Sequence, residues 1–177
     1  MRKNQKGFSL IELLIVVAII LIIAAIAIPN LLRSKMAANE ASAVGSLRTL
    51  VTSNVTYSST YGNGFAVGLP TLGGVPPATC NNAVLIDNVL AAAPNQKSGY
   101  RFNFYVGLNA WGAPPAGCAP GWNNFGEGAQ PITVGGTGQR SFCTDDSGVV
   151  RFDAASAGIA PPGAYGGCIT PGWIALQ

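Results

Sequence analysis

The chain has 177 residues, 49% hydrophobic and 10% charged, with a formal net charge of +3 and no histidine. That length suits one domain plus a helical extension, and the missing histidine excludes Ser-His-Asp and Cys-His catalytic triads. The basicity is local: residues 1–7 hold three of the ten basic residues and none of the seven acids, which leaves seven of each sign in the remainder. Such a balance gives no indication of a nucleic-acid surface.

Arg2, Lys3 and Lys6 precede Gly7. Residues 8–28 then form an apolar run of 21 with one ionisable side chain, Glu12, and Pro29 closes it. About 20 apolar residues cross a bilayer as a helix. The Lys/Arg cluster ahead of the run predicts a cytoplasmic N-terminus and an outer location for the rest. An ordinary anchor and a cleaved secretory signal both compete for this segment. Ala25-Ile26-Ala27 fits the small-x-small cleavage pattern, but the run exceeds the about 7–15 residues of a signal core. An acid near the start also has no use in a signal. A carboxylate costs about 2.5–3.5 kcal/mol at the centre of a membrane helix. Glu12 lies only one turn inside the run, where the cost is smaller, but it still calls for a partner.

The string Gly7-Phe8-Ser9-Leu10-Ile11-Glu12, behind a basic leader and ahead of a long apolar run, resembles the prepilin-peptidase site of type IV pilins and the related type II secretion pseudopilins. The resemblance covers about the first 35 residues. It implies a leader, residues 1–7, cut on the cytoplasmic side after Gly7, and N-methylation of the new terminal residue Phe8. It also implies that Glu12, five residues after the cut, acts in assembly by meeting the Phe8 amine of a neighbouring subunit. Opposite charges about 4 Å apart attract by about 4 kcal/mol at an effective dielectric of 20, with desolvation offsetting part of that. The partners implied are further copies of the chain, a prepilin peptidase and N-methyltransferase, and an assembly machinery in a bacterial inner membrane. The subunit would sit there as a single-pass protein, C-terminus outside, before joining a surface pilus. A pseudopilin of a type II secretion system is the alternative, and a membrane-anchored binding domain a more distant one.

Residues 30–61 continue the helix. Apolar positions at Ala37, Ala41, Val44, Leu47, Val51 and Val55 form one stripe, predicted to face the head, with Lys35, Asn39, Ser42, Ser46 and Thr49 opposite. Gly45 within it costs about 1 kcal/mol relative to alanine. Gly62-Asn63-Gly64 is a stop signal. One helix is therefore expected over residues 8–61, with a bend at Pro29: residues 8–28 in the membrane or a filament core, residues 30–61 amphipathic.

Residues 62–177, the predicted extracytoplasmic head, hold 21 of the 23 glycines and 11 of the 12 prolines. A short helix is expected over 83–92 with Asn81 or Asn82 as its cap, before Pro94. Tyr100, Phe102, Phe104 and Val106 alternate with polar positions and predict a strand over 100–106. Residues 111–128 read as a long loop tied by Cys118, and 132–134 as a short strand. Segments 139–144 and 149–153 flank Asp145-Asp146-Ser147-Gly148 as a hairpin. After Ala154 the chain is mostly small residues, pinned by Cys168. The fold class is α+β: a long helix whose outer half packs on an antiparallel sheet of three or four strands, in a loop-rich head.

Cys80, Cys118, Cys143 and Cys168 fall on the side where disulfides persist, with no CxxC spacing for zinc. Four cysteines allow three pairings; loop entropy favours Cys80–Cys118 with Cys143–Cys168. Asp145 and Asp146, the only adjacent acids, read as a solvated turn, with Ca²⁺ as the sharper alternative. Trp111, Trp122 and Trp173 read as core plugs rather than an adhesive surface, and Tyr57 and Tyr61 as ordinary packing. No cofactor and no catalytic residue is called for.

Overall fold

A computed structural model describes residues 7–153, 155 and 166–176. The leader residues Arg2, Lys3 and Lys6, and residues 154, 156–165 and 177 near the chain end, lie outside the described residues. The chain divides into two units, Met1–Lys35 and Met36–Gln177. Helix α1, Leu10–Tyr61, contributes to both and continues through Pro29.

In the first unit every large apolar side chain from Phe8 to Ile28 is exposed. Twenty-one residues at about 1.5 Å each give about 32 Å, against a hydrocarbon core of about 30 Å. The segment is apolar on every side, so it needs lipid or other helices around it.

In the second unit α1 lies on an antiparallel sheet with, among the described residues, six strands in sequential order. They are β1 Gln96–Lys97, β2 Tyr100–Val106, β3 Phe125–Pro131, β4 Phe142–Asp145, β5 Arg151–Asp153 and β6 Trp173–Ala175. Each strand pairs with the next, β2 and β3 along their full length from Tyr100↔Pro131 to Val106↔Phe125. Leu47, Leu50 and Tyr57 of the helix meet Tyr100, Phe102, Ala129 and Phe142 of the sheet in one core, joined by Leu72 and Leu90. The α+β class holds, with more strands than the three or four expected.

The buried face of the helix is rotated from the apolar stripe read in the sequence. Glu40, Ala43, Leu47, Leu50, Asn54 and Tyr57 point inward, whereas Ala37, Ala41 and Val55 are exposed. Hydrophobicity alone misplaced the face because four of its inward positions are polar, Glu40, Ser46, Ser53 and Asn54. The apolar stripe puts Ser46 on the opposite side, and the other three find partners across the chain. Glu40 meets Arg140, Asn54 meets Glu127 and Ser53 donates to the Leu85 carbonyl.

Four further expectations are corrected. The helix over 83–92 shrinks to α3, Asn88–Ala91, capped by Asp87 rather than Asn81 or Asn82. Val84 sits at φ 53, a left-handed conformation a helix cannot absorb, and Ala83 and Leu85 instead donate to the carbonyls of Thr71 and Leu72. These two belong to α2, Leu69–Leu72. The predicted loop over 111–128 ends in β3, whose Phe-Gly-Glu-Gly-Ala-Gln-Pro sequence has low strand propensity but is paired on both edges. Residues 132–134 form no strand of the sheet: they lead into a turn at 135–137, where the Gly136 and Thr137 amides donate to the Thr133 carbonyl, and Val134 makes only an isolated bridge with Gly138. None of the three tryptophans is a core plug, since Trp111 is 42% exposed and Trp122 and Trp173 are half-buried.

Candidate assembly site and its supporting head

The sequence places Gly7, Phe8 and Glu12 within six positions, and the structure brings them together at the start of α1. Phe8 is 83% exposed. The helix begins at Leu10, so Ser9 takes the N-cap position and Glu12 the third helical position. The Ser9 amide donates to Oε2 of Glu12 at 2.9 Å. That is half of a capping box, and Ser9-Leu10-Ile11-Glu12 spells its S-x-x-E signature in the sequence, a signal the sequence reading passed over. The carboxylate thus turns back to the Ser9 amide at the N-terminal end of the helix, where the dipole favours negative charge.

The head is fixed to its part of α1 by two polar pairs far apart in sequence. Oε1 of Glu40 accepts from the amides of Gln139 and Arg140 at 2.9 and 3.2 Å. Its Oε2 accepts from Nε and Nη2 of Arg140 at 2.9 and 2.7 Å. The same guanidinium lies over the rings of Phe142 and Phe152. Burial acts to raise the Glu40 carboxyl, but the hydrogen bonds from Gln139 and Arg140 outweigh it and hold the group below its ordinary value. Deeper in, Nδ2 of Asn54 donates to Oε1 of Glu127 at 2.7 Å, and Oδ1 of Asn54 accepts from the Ala66 amide at 3.2 Å. Glu127 is fully buried on β3 and its Oε2 has no hydrogen-bond partner among the described residues. Burial pushes this carboxyl well above its ordinary value, with the Asn54 hydrogen bond opposing. Neither pair was legible beforehand, because Glu40 and Asn54 look like solvent-facing helix residues and Glu127 sits in a segment that reads as loop.

Two disulfides close the loops of the head, Cys80–Cys118 and Cys143–Cys168. Tyr57, its ring 5.1 Å from that of Tyr61, donates from its hydroxyl to the Cys80 carbonyl at 2.7 Å. Asp145 serves the β4–β5 turn: it accepts from the amide and hydroxyl of Ser147 and from Nη1 of Arg151. Asp146 is exposed beside it. Among the described residues no cluster of three or more His, Cys, Asp or Glu is placed to hold a metal ion.

The two units define a class: an α+β head, tied by disulfides, on a helix whose first part is apolar all round and opens with an exposed aromatic residue and a nearby acid. Residues 2–28 match the family described as the prokaryotic N-terminal methylation motif. The chain is 32% identical over 165 residues to the fimbrial protein EcpB of Eikenella corrodens, covering 90% of this chain and 92% of that protein. It is 63% identical over 38 residues to the type IV wide pilus major component PilA4 of Thermus thermophilus, 22% of this chain and 29% of that one. The match to the type IV major pilin protein PilA of Myxococcus xanthus is 46% over 56 residues, 32% of this chain and 26% of that one. No solved structure matches. The chain belongs to the type IV pilin family, a family of structural subunits.

Proposed function

We propose that the chain is the structural subunit of a type IV pilus filament, held in the inner membrane by residues 8–28 and polymerised through the same helix. The observation that carries this reading is the exposure of every large apolar side chain from Phe8 to Ile28. Burying one such side chain is worth about 1.5–3 kcal/mol, so the segment is stable only in lipid or among like helices. Cleavage after Gly7 and methylation of Phe8 leave a secondary amine at the chain start, cationic at neutral pH. Its counter-charge is Glu12 of the neighbouring subunit, exchanged for the Ser9 amide that Glu12 holds in the isolated chain.

The test is sheared-filament yield against the membrane pool for Glu12→Ala, Glu12→Gln and Glu12→Asp, with mass spectrometry of the N-terminal peptide. All three should be inserted and start at Phe8. Glu12→Ala and Glu12→Gln should accumulate in the membrane unpolymerised, and Glu12→Asp should be intermediate. Wild-type filament yield from Glu12→Ala would remove the assembly role given to the acid.

A further inference from the structure

Strand β2 is covered unevenly. On one side β3 pairs with all seven of its residues. On the other, β1 reaches only Tyr100 and Arg101, and Phe102 donates its amide to the Asn95 carbonyl. Asn95, at φ 56, ends the extended run there. In an antiparallel ladder the main-chain groups of successive residues alternate between the two edges. Phe104 and Val106 share the phase of Phe102, so their amides and carbonyls face the side that β1 leaves open. Neither has a hydrogen-bond partner on that side among the described residues.

Two independent features mark this edge. Native sheets guard an edge with charge, proline, a bulge or a cover. The covered part carries Lys97 and Arg101, whereas residues 103–106, Asn-Phe-Tyr-Val, carry neither charge nor proline, and three of the four favour strands. A cleft of about 310 Å³ also runs along the open stretch, between Asn103 and Phe104 on one wall and Val67, Gly68 and Pro70 on the other. Val67, and Val106 at the strand end, expose apolar side chains. Gly68 keeps the cleft clear. Its φ of 168 is ordinary extended backbone, and an added Cβ touches only Cδ of Pro70, at 3.6 Å. Nothing inside the chain calls for a glycine at this position.

We propose that the open edge of β2 is a docking site for a short extended peptide of a partner protein, which adds to the sheet as a strand beside Phe104 and Val106. The unpaired amides and carbonyls match the main chain of such a peptide, and the uncharged surroundings match apolar or small side chains at alternate positions. The cleft is at the lower end of the about 300–1,000 Å³ of ligand pockets. An edge this short offers far less than the about 800 Å² per partner of a stable interface, so the occupant is a short segment rather than a second folded head. The site does not depend on the filament reading above.

The probe is the uncharged pentapeptide Thr-Val-Thr-Val-Thr-amide with fluorescein at its N-terminus, followed by anisotropy against the full-length chain in detergent. A second probe has both valine amides N-methylated. Gly68→Leu fills the cleft, and Val106→Pro removes an outward amide at an edge, where proline is tolerated. The first probe should bind saturably. Binding should weaken at least tenfold for the N-methylated probe and for either variant, with both variants melting at the wild-type temperature. No saturation up to about 1 mM, equal binding of the N-methylated probe, or wild-type binding by a variant that melts normally overturns the inference. Lowered melting in both variants would mean that edge and cleft are used within the chain, which overturns it too. Self-association of the chain in detergent that Val106→Pro abolishes would put a second copy on the edge and remove the peptide assignment.

Discussion

Glu127 offers the sharpest test of how the head is built. Its carboxyl is fully buried on β3, accepts one hydrogen bond from Asn54 and leaves Oε2 without a partner among the described residues. Burial raises its proton affinity in the folded state, so the folded head carries Glu127 neutral at a pH where the unfolded chain has ionised it. The linkage has a definite sign. Between the unfolded value of about 4.3 and the raised folded value, the folded state holds the extra proton, and stability falls by about 1.4 kcal/mol per pH unit. Below about 4.3 the contribution is flat. Glu127→Gln keeps the acceptor for Asn54 and replaces the neutral acid with an amide of nearly the same shape. At pH 4 the variant should match wild type or fall short by about 1–3 kcal/mol, because the new amide N–H groups find no acceptor. From there upward it should gain on wild type by about 1.4 kcal/mol per unit until the folded acid titrates. Urea unfolding of the full-length chain in detergent, followed by tryptophan fluorescence from pH 4 to 9, measures this directly. Parallel stability profiles for the two proteins would show that Glu127 is not the buried neutral acid argued here.

The Glu40–Arg140 pair should titrate in the opposite sense: Glu40 is held below its ordinary value, so its contribution is present above about pH 4.3 and lost as acid drives the pH down through the folded value. Arg140→Ala should cost about 1–3 kcal/mol at pH 7 by leaving a buried carboxylate with only two amide donors, and Glu40→Gln should flatten the acid limb of the unfolding profile. The disulfides should each contribute about 2–4 kcal/mol, with Cys80–Cys118, at a separation of 38, worth more than Cys143–Cys168, at 25. Paired alanine variants in urea, with thiol alkylation of the unreduced protein, check this; four alkylated cysteines in the native protein would contradict it.

What the sequence made legible follows from where its signals are local. The apolar run, the Gly7-Phe8 junction and the acid at 12 are contiguous. The long helix announces itself by composition and ends where Gly62 and Gly64 say it should. Strand β2 shows its period of two and is a strand over the full predicted span. The elements that escaped depend on distant partners. Strand β3 has two glycines, an acid and a terminal proline, and becomes a strand because β2 and β4 supply its hydrogen bonds from both sides. The inward face of the helix escaped for the same reason. Glu40 is buried only because Arg140, a hundred positions away, comes to it, and Asn54 only because Glu127 does.

These two polar pairs also explain how one helix serves two surfaces. If the residues of α1 beyond Met36 held the sheet by apolar contact alone, their widest apolar stripe would have to face inward, and the open side would be polar. Instead the inward face mixes Leu47, Leu50 and Tyr57 with Glu40 and Asn54, whose partners lie on fixed strands and turns. A hydrogen bond tolerates far less sliding than a hydrophobic contact, since it weakens steeply away from its preferred distance and angle. Glu40 with Arg140 and Asn54 with Glu127, fourteen residues apart along the helix, therefore pin its rotation and register at two levels about 21 Å apart. With rotation fixed by polar groups, the small and apolar positions Ala37, Ala41, Gly45 and Val55 are left on the open side. The hundred-residue reach of these contacts means that the face is set only once the head has folded. Loss of the folded head would remove both pins at once and leave the rotation of α1 about its own axis unset.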